Sequence, residues 1–173
     1  MMRFRKKILK INAIIFDIDG VLTNGLIGYG QCDEIKFFHV RDGHRIKLAR
    51  SVGMKVGILS GRSAEANRRR AKELELDFFY EGEKDKKQAF LKLLSEQKLE
   101  DSECAYLGDD VIDVPIMRRC AFSALTADAP DYLSEYCDFR TRNNGGAGAA
   151  CEFIDMILRG KGLWRKAMSK YLD

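Results

Sequence analysis

The stretch Ile11-Asn12-Ala13-Ile14-Ile15-Phe16-Asp17-Ile18-Asp19-Gly20 decides the fold. It passes in one step from an apolar run too short for a helix to two acids and a glycine, as a buried strand does where it meets a turn. Four more short apolar runs follow: Val56–Leu59, Phe78–Tyr80, Cys104–Leu107 and Ala121–Ala124. The amphipathic, charge-rich stretches between them predict helices over 43–52, 63–76, 85–97, 110–119, 129–136 and 148–159. Strand and helix alternate, and the strands are apolar throughout. That pattern predicts the α/β class, a Rossmann-like parallel sheet with helices on both faces.

The chain has 173 residues, 46% of them hydrophobic and only two of them proline, so it can bury a core without staples. No apolar run reaches the length of a bilayer span. The basic opening Met1-Met2-Arg3-Phe4-Arg5-Lys6-Lys7 leads into a run holding Asp17 and Asp19. A secretory leader would not carry these acids, so a cytoplasmic protein is expected. The net charge is +4, and the excess gathers in Arg3–Lys10 and in Lys161, Arg165, Lys166 and Lys170. These ends read as solvated tails, with no nucleic-acid or membrane partner. Five cysteines without a C-x-x-C pair, beside only two histidines, read as free thiols in a reducing compartment and not as a zinc site.

One segment breaks the alternation. Over 24–41, Leu26-Ile27-Gly28-Tyr29 and Glu34-Ile35-Lys36-Phe37-Phe38-His39-Val40 flank a polar turn, which predicts a small β-hairpin flap at the carboxyl edge of the sheet. Its apolar residues are too many for a flap in water and predict contact with another subunit. With no repeat or linker, residues 1–173 read as one domain ending in a tail over 160–173.

In an open α/β sheet, ligands bind beyond the carboxyl ends of the strands. Four strands here end in groups that would meet there: Asp17-Ile18-Asp19-Gly20, Ser60-Gly61-Arg62, Gly82-Glu83-Lys84-Asp85-Lys86, and Gly108-Asp109-Asp110-Val111-Ile112-Asp113. Asp17, Asp19, Asp109 and Asp113 brought together would repel strongly without a cation, and hard carboxylate oxygens suit magnesium. The Ser60 hydroxyl and the Lys86 ammonium beside such an ion suit a phosphoryl group. A nucleophilic carboxylate completes the parts for transfer through an aspartyl-phosphate. Taken singly, each motif also reads as a turn or a helix cap.

Asp17-Ile18-Asp19-Gly20-Val21-Leu22-Thr23, then Ser60, Lys86 and Gly108-Asp109-Asp110, resembles the haloacid dehalogenase-like phosphatase superfamily. So do Phe38-His39-Val40-Arg41-Asp42-Gly43, Ser60-Gly61-Arg62-Ser63, and Gly145-Gly146-Ala147-Gly148-Ala149. The resemblance spans about 14–162. It implies a magnesium-dependent phosphatase for a small sugar-acid phosphate, without a cap domain. Asp17 would be the nucleophile and Asp19 the general acid/base, with Ser60 and Lys86 on the transferring phosphoryl group. Magnesium would sit on the Asp17 side chain, the Asp19 backbone carbonyl and Asp109. Gly61, Arg41, Arg62 and Arg70 would meet the substrate. A homotetramer is implied too, with hairpins and tails of neighbouring subunits closing each site.

Two positions depart from the family's pattern. Arg45 stands where a small residue is usual, and Cys151, before Glu152, stands where an arginine is usual. Arg45 is therefore expected to replace part of the missing positive charge. Alternatives to an octulosonate-type substrate are a nine-carbon sialic-type sugar-acid phosphate or another small phosphate ester. From a different class comes a receiver-like signalling domain, which also combines an acid pair, a hydroxyl and a lysine.

Overall fold

The computed structural model describes residues 4–31 and 33–172. Met1, Met2 and Arg3 of the basic opening, the thiol of Cys32 and the last residue of the tail lie outside the described residues. In chain order the elements are α1 (Arg5–Ile8), β1 (Ala13–Phe16), β2 (Gly28–Tyr29), β3 (Glu34–Ile35), α2 (Val40–Ser51), β4 (Lys55–Leu59), α3 (Glu65–Leu74) and β5 (Phe78–Tyr80). After these come α4 (Lys86–Gln97), β6 (Cys104–Gly108), α5 (Val114–Met117), β7 (Phe122–Leu125), β8 (Phe139–Arg140), α6 (Ala149–Gly160) and α7 (Trp164–Leu172).

Six strands form one sheet in the order β5-β4-β1-β6-β7-β8, and every pairing is parallel. Numbered along the chain, that order is 3-2-1-4-5-6, the doubly wound arrangement, whose strand order reverses beside the first strand. A receiver domain has the order 2-1-3-4-5, so that reading falls. Ile14 and Phe16 of β1 face a core closed by Ile46 and Ala49 of α2 and by Phe153, Ile154 and Ile157 of α6. Ala13 and Ile15 face the opposite core, closed by Ala89, Phe90 and Leu93 of α4. The central strand β1 is apolar on both sides because helices cover both sides.

The hairpin is the separate pair β2–β3, registered Gly28↔Ile35 and Tyr29↔Glu34. Its strands are two residues each, shorter than expected, and α2 begins at Val40, within the segment read as hairpin. The helix expected over 110–119 is instead a 3₁₀ turn at Val111–Asp113 followed by α5. Asp110 and Asp113 cap each other's backbone there, and a proline sits in the first turn of α5. The helix expected over 129–136 is a 3₁₀ turn over Asp131–Tyr136. The tail folds as α7, and Leu163, Trp164 and Met168 pack on the core of their own chain. Trp164 lies under the guanidinium groups of Arg45 and Arg159, and the Tyr171 hydroxyl is 2.7 Å from His44 Nε2. The strand β8 and the helix α1 have no counterpart in the sequence reading.

Candidate active site

Phe16, the last residue of β1, is in register with Ile58 of β4 and Leu107 of β6. Asp17 therefore leaves the sheet between Ser60 and Asp109, where the strand order reverses. The Asp17 amide donates to the Leu107 carbonyl at 3.2 Å, and the side chain is almost fully buried. Lys86, the first residue of α4, brings its Nζ 2.8 Å from Asp17 Oδ2 and 2.6 Å from Asp113 Oδ1. Asp85 fixes that helix start by accepting from the Gln88 amide at 3.1 Å. Burial pulls the Lys86 ammonium down, but Asp17 and Asp113 together hold it above its ordinary value.

Asp17, Asp109 and Asp113 bring ligand oxygens within 4.8 Å of one another. Burial, and then repulsion from Asp113 and Asp17, pushes Asp109 up to about 8. Burial also pushes Asp17 up to about 6, against the pull of Lys86. Acids in this state accommodate a hard divalent cation in place of their protons. Asp113 is not free to bind it. Its Oδ1 accepts from Lys86 and from the Tyr106 hydroxyl at 2.6 Å, and its Oδ2 accepts from the amides of Asp109 and Asp110 at 2.9 and 3.2 Å. Asp17 and Asp109 are the side chains left for the ion. Gly20 brings the Asp19–Gly20 peptide beside them: its φ is +80°, and a Cβ there would lie 2.0 Å from Asp109 Oδ2.

Ser60 is buried on the other flank of Asp17, with its Oγ 3.2 Å from the Arg62 carbonyl and 3.3 Å from the Arg62 amide. Gly61 leaves room beside it; a Cβ there would stand 4.0 Å from Lys86 Cε. Asp19 points toward the hairpin. Its two carboxylate oxygens accept from Lys36 Nζ at 2.7 and 2.9 Å, and Arg62 Nε is 3.7 Å away. Arg62 also pairs with Glu34. Sequence reasoning missed Lys36 and the two groups that hold Lys86, Asp113 in its anchoring role and Tyr106. For Lys36 the available signal was a lone cation among Ile35, Phe37 and Phe38.

The remaining candidates line clefts that do not include Asp17. Arg70 bonds Glu73 at 2.9 Å, lies over the Phe38 ring and lines a cleft of about 480 Å³ beneath the hairpin. Arg41 is exposed and lines a second cleft of about 790 Å³, with Arg45, Arg142 and Cys151. In that cleft Arg45 Nε reaches Asp155 Oδ1 at 2.6 Å. Asp42, buried beneath, accepts from the Gly148 and Cys151 amides at 3.3 and 2.8 Å and so caps α6. His39 lies 3.5 Å from the same Asp42 carboxylate.

A doubly wound parallel sheet with a buried aspartate–lysine pair and a second acid at its reversal point has the parts of a phosphoryl-transfer enzyme. The chain belongs to the haloacid dehalogenase-like hydrolases, whose family model matches residues 39–120. It is 38% identical over 159 residues to the 3-deoxy-D-manno-octulosonate 8-phosphate phosphatase KdsC of Haemophilus influenzae, covering 91% of this chain and 88% of that protein. Among solved structures, the same-named phosphatase of Moraxella catarrhalis superposes with a TM-score of 0.94 at 30% identity, covering 99% of both chains. That structure holds a magnesium ion, a phosphate ion and a KDO molecule. The Yersinia pestis phosphatase of this name superposes with a TM-score of 0.89 at 35% identity, over 92% of this chain and 87% of that one.

Proposed function

We propose that this chain is a magnesium-dependent phosphatase that hydrolyses 3-deoxy-D-manno-octulosonate 8-phosphate to 3-deoxy-D-manno-octulosonate and phosphate. The buried Asp17–Lys86 pair at the end of the central strand carries the chemistry of this reading. The relatives named above support the substrate. Residues 1–173 are read as one catalytic domain.

Asp17 attacks phosphorus through a carboxylate oxygen, and the bond from phosphorus to the sugar oxygen breaks. The departing oxygen keeps the bonding pair and takes a proton from Asp19. Water then attacks the aspartyl-phosphate and gives a proton to Asp19. The phosphorus–Asp17 bond breaks, which restores the carboxylate and releases inorganic phosphate. Lys86 and Ser60 hold the phosphoryl oxygens throughout. Asp17, Asp109 and the Asp19 carbonyl are the groups that would hold magnesium. When bound, that ion supplies a hard positive charge beside the carboxylates and the phosphoryl oxygens. Gly61 and Arg62 stand at the phosphoryl end, while Arg41 and Arg70 are candidates for the far end of a substrate completed by assembly.

The assembly proposed is a homotetramer in the cytoplasm. Leu26, Tyr29, Phe37 and Val40 are each more than two-thirds exposed around the hairpin, a cluster that favours burial against a second copy. Cys104, Cys120, Cys137 and Cys151 are free thiols, as suits a reducing compartment. No helix of the described residues is long and apolar enough to cross a membrane.

Phosphate release from the octulosonate ester, from a nine-carbon sialic-type ester and from simple sugar phosphates, with and without magnesium, tests the reading. The octulosonate ester should have the highest kcat/KM, and only with magnesium. Preference for the nine-carbon ester would overturn the substrate, and full activity after chelation would overturn the metal. Sedimentation as an active monomer would overturn the tetramer.

A further inference from the structure

Lys36 has no place in the reaction as written, yet its side chain is wholly buried in the hairpin. A buried ammonium is costly unless paired, and the pairing here is with Asp19. Nζ reaches both Asp19 oxygens, at 2.7 and 2.9 Å, whereas Glu34 Oε2 is 3.8 Å away. Among the described residues, Lys36 is the hydrogen-bonding partner of the Asp19 side chain, with Arg62 Nε beyond bonding distance at 3.7 Å. The hairpin that carries Lys36 is fastened on two further sides. Glu34 pairs with Arg62 of the Ser60 loop, and Asp33 accepts from the Glu65 amide at 2.8 Å at the start of α3.

A proton donor acts only within hydrogen-bond reach of the oxygen it serves, and a small misplacement is costly. The D-x-D turn fixes the backbone of Asp19 but not its side-chain torsions. We infer that Lys36 is the positioning residue for the Asp19 carboxylate, so that docking of the hairpin sets whether the leaving group can be protonated. The inference rests on the reading of Asp19 as general acid given above.

The test is a series of substituted phenyl phosphates, alike in shape but graded in leaving-group basicity. kcat/KM reports the steps up to departure of the phenol. A weakly basic leaving group such as p-nitrophenolate departs without a proton, whereas a basic phenolate needs one. Lys36→Met, which keeps an apolar stem in the buried slot, should lower kcat/KM about 100-fold for the most basic phenol and under about threefold for p-nitrophenyl phosphate. Lys36→Arg should restore most of the loss for the basic phenol. Lys36→Gln is measured alongside and should show the same graded loss if the Met variant does not fold. Equal losses across the series, or a gain in rate that would mark Lys36 as holding Asp19 away, would overturn the inference. Asp19→Asn separates it from its premise. If that variant shows no graded loss, the role of Asp19 itself is wrong. If it does and Lys36→Met does not, only the inference fails.

Discussion

Asp109 and Asp17 are crowded by burial and by Asp113, and their carboxyls stand at about 8 and about 6, against an ordinary value of 3.8. A folded-state value above the unfolded one gives the fold an advantage that is complete below the unfolded pKa and is lost as pH rises through the folded pKa. The metal-free protein should therefore lose thermal stability from about pH 4 up to about pH 8. Magnesium competes with those same protons, so the stabilisation it confers should grow across that window. Melting curves with magnesium and with a chelator at several pH values check this. A magnesium shift of equal size at about pH 5 and about pH 8 would contradict the assignment of these two acids as its ligands.

Two elements make the site depend on distant parts of the chain. The turn Gly145-Gly146 presses on the D-x-D turn: a Cβ on Gly145 would lie 1.8 Å from the Gly20 carbonyl oxygen, and the Gly146 amide donates to the Val21 carbonyl at 2.9 Å. Close backbone approach is thus why glycine stands there. Gly145→Ala should cost about 1–3 kcal/mol in chemical denaturation and weaken magnesium binding measured by calorimetry, because the displaced atoms belong to the Asp109 side of the site. Retained stability with unchanged magnesium affinity would contradict it. The other element is α7. Lys161, just before it, donates to the Leu9 and Ile11 carbonyls, and Ala167 is buried. Deleting residues from Lys161 onward should therefore lower stability by on the order of 3 kcal/mol, read from denaturant midpoints. A full-stability truncation with a raised KM would instead place α7 over a neighbouring site.

At the scale of the whole molecule, much was legible because a parallel α/β sheet writes its site in a fixed place. Asp17, Ser60 and Asp109 each follow an apolar run, and Lys86 follows the turn after another. Once the runs are strands, the topology brings these residues together. The unread parts have physical reasons. β8 is a two-residue edge strand with no apolar run of its own. α7 was hidden by its basic residues, because its apolar face is Trp164, Ala167 and Met168, with Leu163 just before it, within a stretch that reads as a charged tail. Lys36 meets Asp19 across 17 residues through a hairpin whose docking no local pattern encodes. The same limit applies to Arg70 and Arg41, whose types suit a sugar acid but which line clefts that do not include Asp17.

The central claim is that Asp17 carries the phosphoryl group during turnover, and trapping that intermediate tests it most directly. The enzyme is mixed with 3-deoxy-D-manno-octulosonate 8-phosphate and magnesium, quenched in acid within the first turnover, and its peptides are mapped by mass spectrometry. The expected result is one acid-stable, hydroxylamine-labile phosphoryl group on Asp17, absent from Asp17→Asn, which should retain the fold and lose turnover. A phosphoryl group on Ser60 or another side chain, or phosphate release by Asp17→Asn near the wild-type rate, would contradict the account.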